Sequence, residues 1–547
     1  MDHHDNQYSS ATTFIDCRAV YKNTLLLLFI FFQISVHSQT SLYWHWKDLE
    51  KDSVHGVSLQ KAKQLLVSKP SPLPIIVAIL DGGIDTNHID LKKKLWTNPN
   101  EIPNNGVDDD RNGYTDDLHG WNFLGGKNGT NINKLSAEKT RIYHQFKNEF
   151  LNKNLDTSSF NEAKKSQYKI WLAANNELEF TEEDQANLAY IKSTYNVIKK
   201  VTAKLIPEMN DSSFTIEKLE DYTPIGRIGL EAKRVLIKSV NILGLEKSSK
   251  INEIISDLEE YIEGKEKTAI AKETEPEDFR AQIIKDNYFD FNDRYYGNND
   301  IMGPNARHGT HVAGLASYQE NYIQIMGVRV VPDGDEYDKD IALGIRYAVD
   351  NGAKIINMSF GKSYSPQQAW VDSAIRYAAA KDVLLIHSAG NEKYDLNSKS
   401  VYPNPYSPII KDSADNMLTI AASGDSLING SLVTDFSNFG NKIVDFLSPG
   451  EKIYSTLPNN EYGYLSGTSM ASPIVTHIAA MIRAYYPNLS ARDVKNILLL
   501  SCMLPKDKLA QMELSLIAKK GGIINAAKAM EIASNYKPTK RKIQKSK

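Results

Sequence analysis

Gly467-Thr-Ser-Met-Ala-Ser-Pro473 runs directly into the apolar stretch Ile474 to Tyr485. Small residues leading into helix formers read as a tight turn that enters a helix, which puts Ser469 at a helix N-terminus. Unpaired backbone N–H groups and the positive end of the helix dipole meet there, a setting that suits an oxyanion on an attacked carbonyl. Pro473 is expected inside the first helical turn, where it has no N–H bond to lose. Gly467 and Ala471 leave the surface around the hydroxyl clear for a substrate backbone. An ordinary N-capped helix would give the same local pattern, so the neighbouring motifs decide.

A serine nucleophile needs a base, and the base needs a carboxylate to orient it. His308-Gly-Thr-His-Val-Ala-Gly314 supplies the first, opening a predicted helix to Ser317, and Val77-Ala-Ile-Leu-Asp-Gly-Gly-Ile-Asp85 the second. Pro74 to Leu80 is a continuous apolar run rich in Ile and Val, the pattern of a strand buried on both faces of a parallel sheet. It ends at Asp81, where α/β sheets place their ligands, and Gly82-Gly83 allows the turn. His308 and His311 lie close to one helical turn apart, but the zinc-protease pattern His-Glu-x-x-His is absent, so His311 reads as structural.

These three stretches, in the order Asp81, His308, Ser469, resemble the motifs of the subtilisin-like serine proteases, the subtilase or peptidase S8 family. The resemblance covers roughly residues 45 to 123 and 295 to 535 and skips the middle. It implies an α/β fold, a parallel-sheet core with helices on both faces; the middle that it skips reads as a large helical insertion. It implies serine endopeptidase activity on proteins or peptides, with Ser469 as nucleophile, His308 as base and Asp81 orienting the imidazole. Ser388-Ala-Gly-Asn391 resembles the oxyanion motif, with Asn391 as side-chain donor. Ile356-Asn-Met-Ser-Phe-Gly361 resembles the edge segment that pairs with extended substrate, so Ser359, Phe360, Gly361, Ala389 and Gly390 are the expected substrate-binding residues. Gly521 to Ala527 resembles the family's terminal helix.

The alternation Gln324–Val331, Ile341–Asp350, Ala353–Ser359, Gln367–Ala380 and Val383–Ser388 predicts strand and helix in turn, hence a parallel sheet covered on both sides. Of 547 residues, 41% are hydrophobic and 24% charged, a globular composition longer than one ordinary domain. A net charge of −3 gives no global pull towards nucleic acid. The apolar core Leu25–Ile34 follows Arg18 and Lys22 and reads as a signal peptide (residues 1–38) cleaved near Ser38–Gln39, too short to span a membrane comfortably. The expectation is an exported protein, periplasmic or extracellular, with no stable membrane insertion after cleavage. Cys17 would leave with the signal, so Cys502 stays alone and no intrachain disulfide forms. Bound calcium is the expected substitute.

In Asn105 to Asp117, the residues Asp108, Asp110, Asn112, Tyr114 and Asp116 fall at calcium-loop spacing around Gly113, though His119 stands where the closing Glu belongs. Another segment must then complete the site, and oxygen-only ligands favour calcium over zinc. Asp90 matches a calcium-ligating position of the resembled family. Residues 125–291 are rich in Lys, Glu and Asn, with stripes at Leu188, Ile191, Tyr195, Ile198 and at Ile251, Ile254, Ile255, Leu258, Ile262. These predict one small helical bundle inserted between the core segments 39–124 and 292–536, with a basic tail at 537–547. Only about 40 residues separate the signal from Asp81, fewer than the pro-domain common in the family, which makes the insertion a candidate lid, inhibitor or built-in chaperone. Acidic residues near the site, Glu392, Asp333, Asp335 and Glu336, suggest a preference for basic substrate side chains.

Overall fold

Val77 and Ile79 face one hydrophobic layer and Ala78 and Leu80 the other, and all four are fully buried. That is why the run from Pro74 carries no polar alternation: both faces of the strand are covered. The computed structural model describes residues 42–538 except 152–154, 246, 248, 249, 408–411, 428 and 429. The expected signal segment, Cys17 and the tail beyond 538 lie outside the described residues.

The first elements are helix α1 (Leu59–Leu66), strand β1 (Ile75–Asp81) and strand β2 (Gly120–Asn122). Then come five long helices: α2 (Glu138–Phe150), α3 (Glu162–Glu177), α4 (Glu182–Met209), α5 (Arg227–Ile242) and α6 (Ile251–Ile270). Helix α7 (Arg307–Ala316) returns to the core, followed by β3 (Ile323–Arg329), α8 (Asp338–Asp350), β4 (Ile355–Met358), α9 (Gln368–Ala380) and β5 (Leu384–Ser388). Strands β6 (Met417–Ser423) and β7 (Phe446–Pro449) and the hairpin β8 (Ile453–Leu457) with β9 (Glu461–Leu465) lead to α10 (Thr468–Tyr485). The chain closes with α11 (Ala491–Leu500), β10 (Cys502–Met503), β11 (Ile523–Ile524) and α12 (Ala526–Asn535).

Among the described residues one nine-stranded sheet runs β10-β11-β7-β6-β5-β4-β1-β3-β2. All its pairings are parallel except β10 with β11. Helices α1, α7, α10, α11 and α12 cover one face, and α8 and α9 cover the other. This is the α/β architecture the motifs imply. One detail differs: Gly521–Ile524 does not begin the terminal helix but adds a short strand beside β7, and the helix starts at Ala526 behind its Asn525 cap.

The two apolar stripes meet in one core, and the other middle helices build a second. Tyr195, Ile198, Ile251, Ile254, Leu258 and Ile262 are buried together in a cluster of α4, α5 and α6. Helices α2 and α3 form a second, aromatic cluster around Tyr143, Phe150, Phe160 and Trp171, which also takes in Tyr364 from the region after β4. Helix α4 begins at a reciprocal capping box between Thr181 and Asp184 and ends at Asn210 in the left-handed region (φ 50°). No helix among the described residues is long and apolar enough to cross a membrane.

Candidate active site

Asp81 is the last residue of β1, only 2% exposed, and its Oδ1 accepts the Gly82 N–H at 2.7 Å. Strands β3 and β4 flank β1, so their outgoing segments make a crevice above this carboxylate. His308 sits one residue into α7, and its Nδ1 lies 2.9 Å from both Asp81 oxygens. Donation of Nδ1–H to the carboxylate leaves the Nε2 lone pair free, the tautomer a general base needs. Gly309 makes this approach possible, because an added Cβ would lie 2.2 Å from Gly83 O. Burial disfavours the imidazolium, but the charge of Asp81 and its hydrogen bond outweigh that and hold the His308 pKa above its ordinary value.

Ser469 is the second residue of α10, half-buried, and its hydroxyl donates to Ser359 O at 3.0 Å. Among the described residues no hydrogen bond joins Ser469 to His308, so the expected contact is not made in this rotamer; the hydroxyl satisfies itself on a backbone carbonyl. Catalytic hydrogen bonds are often loose in a substrate-free enzyme and tighten with substrate. The helix also starts earlier than expected. Thr468 is its first residue, so Pro473 stands in the interior, and the N–H it lacks leaves Ser469 O without its helical partner. Ser359 Oγ fills the gap, donating to Ser469 O at 2.9 Å, and is itself held by Asn357 Nδ2 and Ser472 Oγ, each at 2.9 Å. Ser359 therefore faces the Ser469 hydroxyl with its carbonyl and braces the helix with its side chain.

Asn391 is exposed, and its Oδ1 accepts both the backbone N–H and the hydroxyl of Thr468 at 2.9 Å. That fixes the amide, and Nδ2 turns towards the α10 N-terminus, 3.2 Å from where a Cβ on Gly467 would stand. Gly467 cannot carry a side chain there without crowding the amide. Gly390 donates its N–H to Thr468 Oγ1 at 3.0 Å. Gly361 is exposed and Phe360 is 8% exposed, whereas Ala389 is fully buried and supports the crevice from below. The buried His387 ring bonds Phe360 O at 2.7 Å, and burial lowers its pKa to about 4, so it props the edge segment as a neutral donor. Thr468 and Ser359 stand inside the quoted motifs, but the Thr468 bond to Asn391, the bracing role of the Ser359 hydroxyl and the place of His387 depend on contacts between distant segments that the sequence does not signal.

The other candidates part company. His311 is buried, its Nε2 on Ile453 O and Gly463 O at 3.0 and 3.2 Å, and it has a structural place. Asp90 accepts from Tyr462 Oη at 2.6 Å. Of the acidic residues, Glu336 is buried, Asp335 is half-buried with one oxygen accepting the Glu138 N–H at 2.7 Å, and Asp333 and Glu392 are exposed.

In the acidic loop, carboxylate oxygens of Asp110, Asp117 and Glu101 lie within 4.8 Å of one another. Asp108 spends its oxygens on the Asn112 and Gly113 amides, and Asp116 on those of Asn105 and Gly106. Asn112 Nδ2 bonds Asp110 and Asp117, and the Tyr114 ring packs against Trp121 and Tyr347. Of the expected acidic ligands Asp110 belongs to this cluster, and Asn112 bonds two of its carboxylates; Glu101 lies upstream of the loop and Asp117 just beyond its last expected position. Three buried or half-buried carboxylates with no sulfur or imidazole ligand fit a hard cation such as calcium.

A model of the subtilase family matches residues 74–521, a span that includes Asp81, His308, Asn391 and Ser469. Subtilisin DY of Bacillus licheniformis is 32% identical over 200 residues, 35% of this chain and 68% of that protein. A thermophilic serine proteinase of Bacillus sp. strain AK1 is 34% identical over 216 residues, 38% of this chain and 48% of that protein. A chain from the structure of the subtilase cytotoxin SubAB assembly has a TM-score of 0.37 at 24% identity, over 44% of this chain and 81% of that one. With the family match running through most of the described core, the chain belongs to the subtilase family of serine endopeptidases.

Proposed function

We propose that this chain is an exported serine endopeptidase that hydrolyses proteins or peptides through an Asp81–His308–Ser469 relay. Ser469 attacks the scissile carbonyl, His308 Nε2 takes its proton and passes it to the leaving amine, and Asp81 holds the imidazole. Asn391 Nδ2 and the Ser469 N–H receive the oxyanion. The edge segment Ser359–Gly361, open to solvent at Gly361, grips substrate backbone by main-chain hydrogen bonds, largely regardless of side chain. The observation that carries the reading is His308 Nδ1 at 2.9 Å from the buried Asp81 carboxylate, beside a helix that presents Ser469 at its N-terminus. Ser469→Ala should lower kcat on the order of a million-fold, as in a subtilisin. A purified, folded Ser469→Ala protein that kept most of its activity would end the proposal.

Calcium held by Glu101, Asp110 and Asp117 would staple the acidic loop and take no part in the chemistry. The helices within 125–291 act as lid or regulator of this site. Replacing residues 127–288 by a short linker tests that role: a deletant that refolds and cleaves at the full-length rate has no regulator to lose.

A further inference from the structure

Two segments border the crevice above Asp81: Asp333–Glu336, which continues from β3, and Ser359–Lys362, which continues from β4. The approach to α2 is sewn onto the first. Asp333 N–H donates to Asn133 O at 2.8 Å, Leu135 N–H donates to Asp333 O at 2.7 Å, and a Cβ on Gly334 (φ 116°) would lie 2.0 Å from Leu135 O. Arg141 continues the seam, giving Nη2 to Asp335 O at 2.9 Å with its guanidinium 4.3 Å from the centre of the Tyr337 ring.

The second segment is tied to the same turn. Lys362 is 3% exposed, and its Nζ meets Glu138 Oε2 at 2.8 Å and Asp338 Oδ1 at 2.9 Å. It also donates to Glu336 O at 2.7 Å, so one ammonium crosses from one border of the crevice to a main-chain acceptor of the other. Gly361, the residue before it, is exposed. The open edge thus begins beside Ser469, whose Oγ is 3.0 Å from Ser359 O, and ends at Lys362.

We infer that the Lys362–Glu336 bridge, held by Glu138, closes the far end of the substrate groove, so that only about three residues on the acyl side of the scissile bond lie extended in it. The inference rests on the proposed roles of Ser469 and Ser359–Gly361. From Ser359 to Lys362 a strand advances about 10 Å at about 3.3 Å per residue, and a substrate strand laid alongside has the same rise. The acyl side is the relevant one because that half stays esterified to Ser469 after the amine departs and must be kept in place. Without Glu138 the Lys362 ammonium would be left buried against fewer carboxylates, a costly arrangement that favours its swinging out and opening the end.

Acetylated peptidyl p-nitroanilides with the same last residue and one to five residues in all, assayed on the full chain, test this. kcat/KM should climb to the third residue and change by less than about threefold from the third to the fifth. A gain of about tenfold or more at the fourth or fifth residue in the wild type overturns the inference. In Glu138→Ala, and independently in Lys362→Met should the first not fold, the fourth residue should bring a gain the wild type lacks; a folded variant whose profile stays flat also overturns it. Labelling of Ser469 by a fluorophosphonate in the same preparation separates this failure from failure of the catalytic reading: a labelled enzyme with an open-ended length profile refutes the bridge alone.

Discussion

At the scale of single residues, the Ser469 hydroxyl has two acceptors to choose between: Ser359 O, which it uses in the structure, and His308 Nε2, which the proposed reaction requires. In the proposed relay, reactivity depends on Asp81 keeping the imidazole in the right tautomer. Asp81→Asn should therefore cut kcat by roughly 10⁴ while leaving the fold intact. Because Asp81 holds the His308 pKa above its ordinary value, the imidazole becomes protonated, and useless as a base, at a higher pH than a free histidine would. The acid limb of kcat/KM should thus lie above about pH 6.5 in the wild type and move to lower pH in Asp81→Asn; a limb that does not move removes Asp81 from the relay. Asp81, His308 and Ser469 were legible in the sequence because the chemistry admits few residue types and each stood in a recognisable strand or helix setting. Thr468 was not, since its part, orienting Asn391, depends on two loops meeting.

At the scale of elements, α10 bears a proline in its interior and a borrowed hydrogen bond to compensate. Ser359→Ala removes that donor and leaves the Ser469 carbonyl orphaned, which should cost about 1–3 kcal/mol of stability and be seen as a lower Tm by calorimetry. An unchanged Tm would mean that water or a helix shift supplies the bond. The acidic loop makes a second prediction at this scale. If calcium binds at Glu101, Asp110 and Asp117, free calcium at about a hundred times its Kd should add about 2.7 kcal/mol, and a chelator should remove it; Asp117→Asn should blunt the response. A Tm indifferent to both calcium and chelator excludes the site. The acidic character of the loop was readable from its spacing, but which of its carboxylates the turns occupy was not. Backbone amides 105, 106, 112 and 113 compete for Asp108 and Asp116, and a sequence does not tell which carboxylates the turns consume.

At the scale of the molecule, histidine burial governs the response to acid. Burial lowers the pKa of His45, His311 and His477 to about 3 and that of His387 to about 4. In the unfolded chain each would take a proton near pH 6.5, so between about pH 6.5 and 4 the unfolded state binds more protons and stability falls, by about 1.4 kcal/mol per pH unit for each imidazole. The Glu336 and Asp117 carboxyls work the other way: burial raises them to about 7 and about 6, so the folded state is favoured as pH falls through those values. Four strongly lowered imidazoles outweigh these two carboxyls, and Tm should drop from pH 6.5 to 4.5 in scanning calorimetry; a flat or rising Tm would contradict the buried, neutral assignment. The parallel sheet and its two helical layers could be read from alternating apolar and amphipathic runs. The pairing of the middle helices into two cores could not, because a stripe marks an inner face without naming its partner, and the aromatic core is completed by Tyr364, far away in sequence.

The central claim is that Ser469 is made nucleophilic by His308 and Asp81. Incubation of the full-length protein with a fluorophosphonate, followed by digestion and mass spectrometry, measures that directly. One covalent adduct is expected on the peptide containing Ser469, formed far more slowly in His308→Ala and absent in Ser469→Ala. A folded protein that takes no label, or takes it elsewhere, would contradict it.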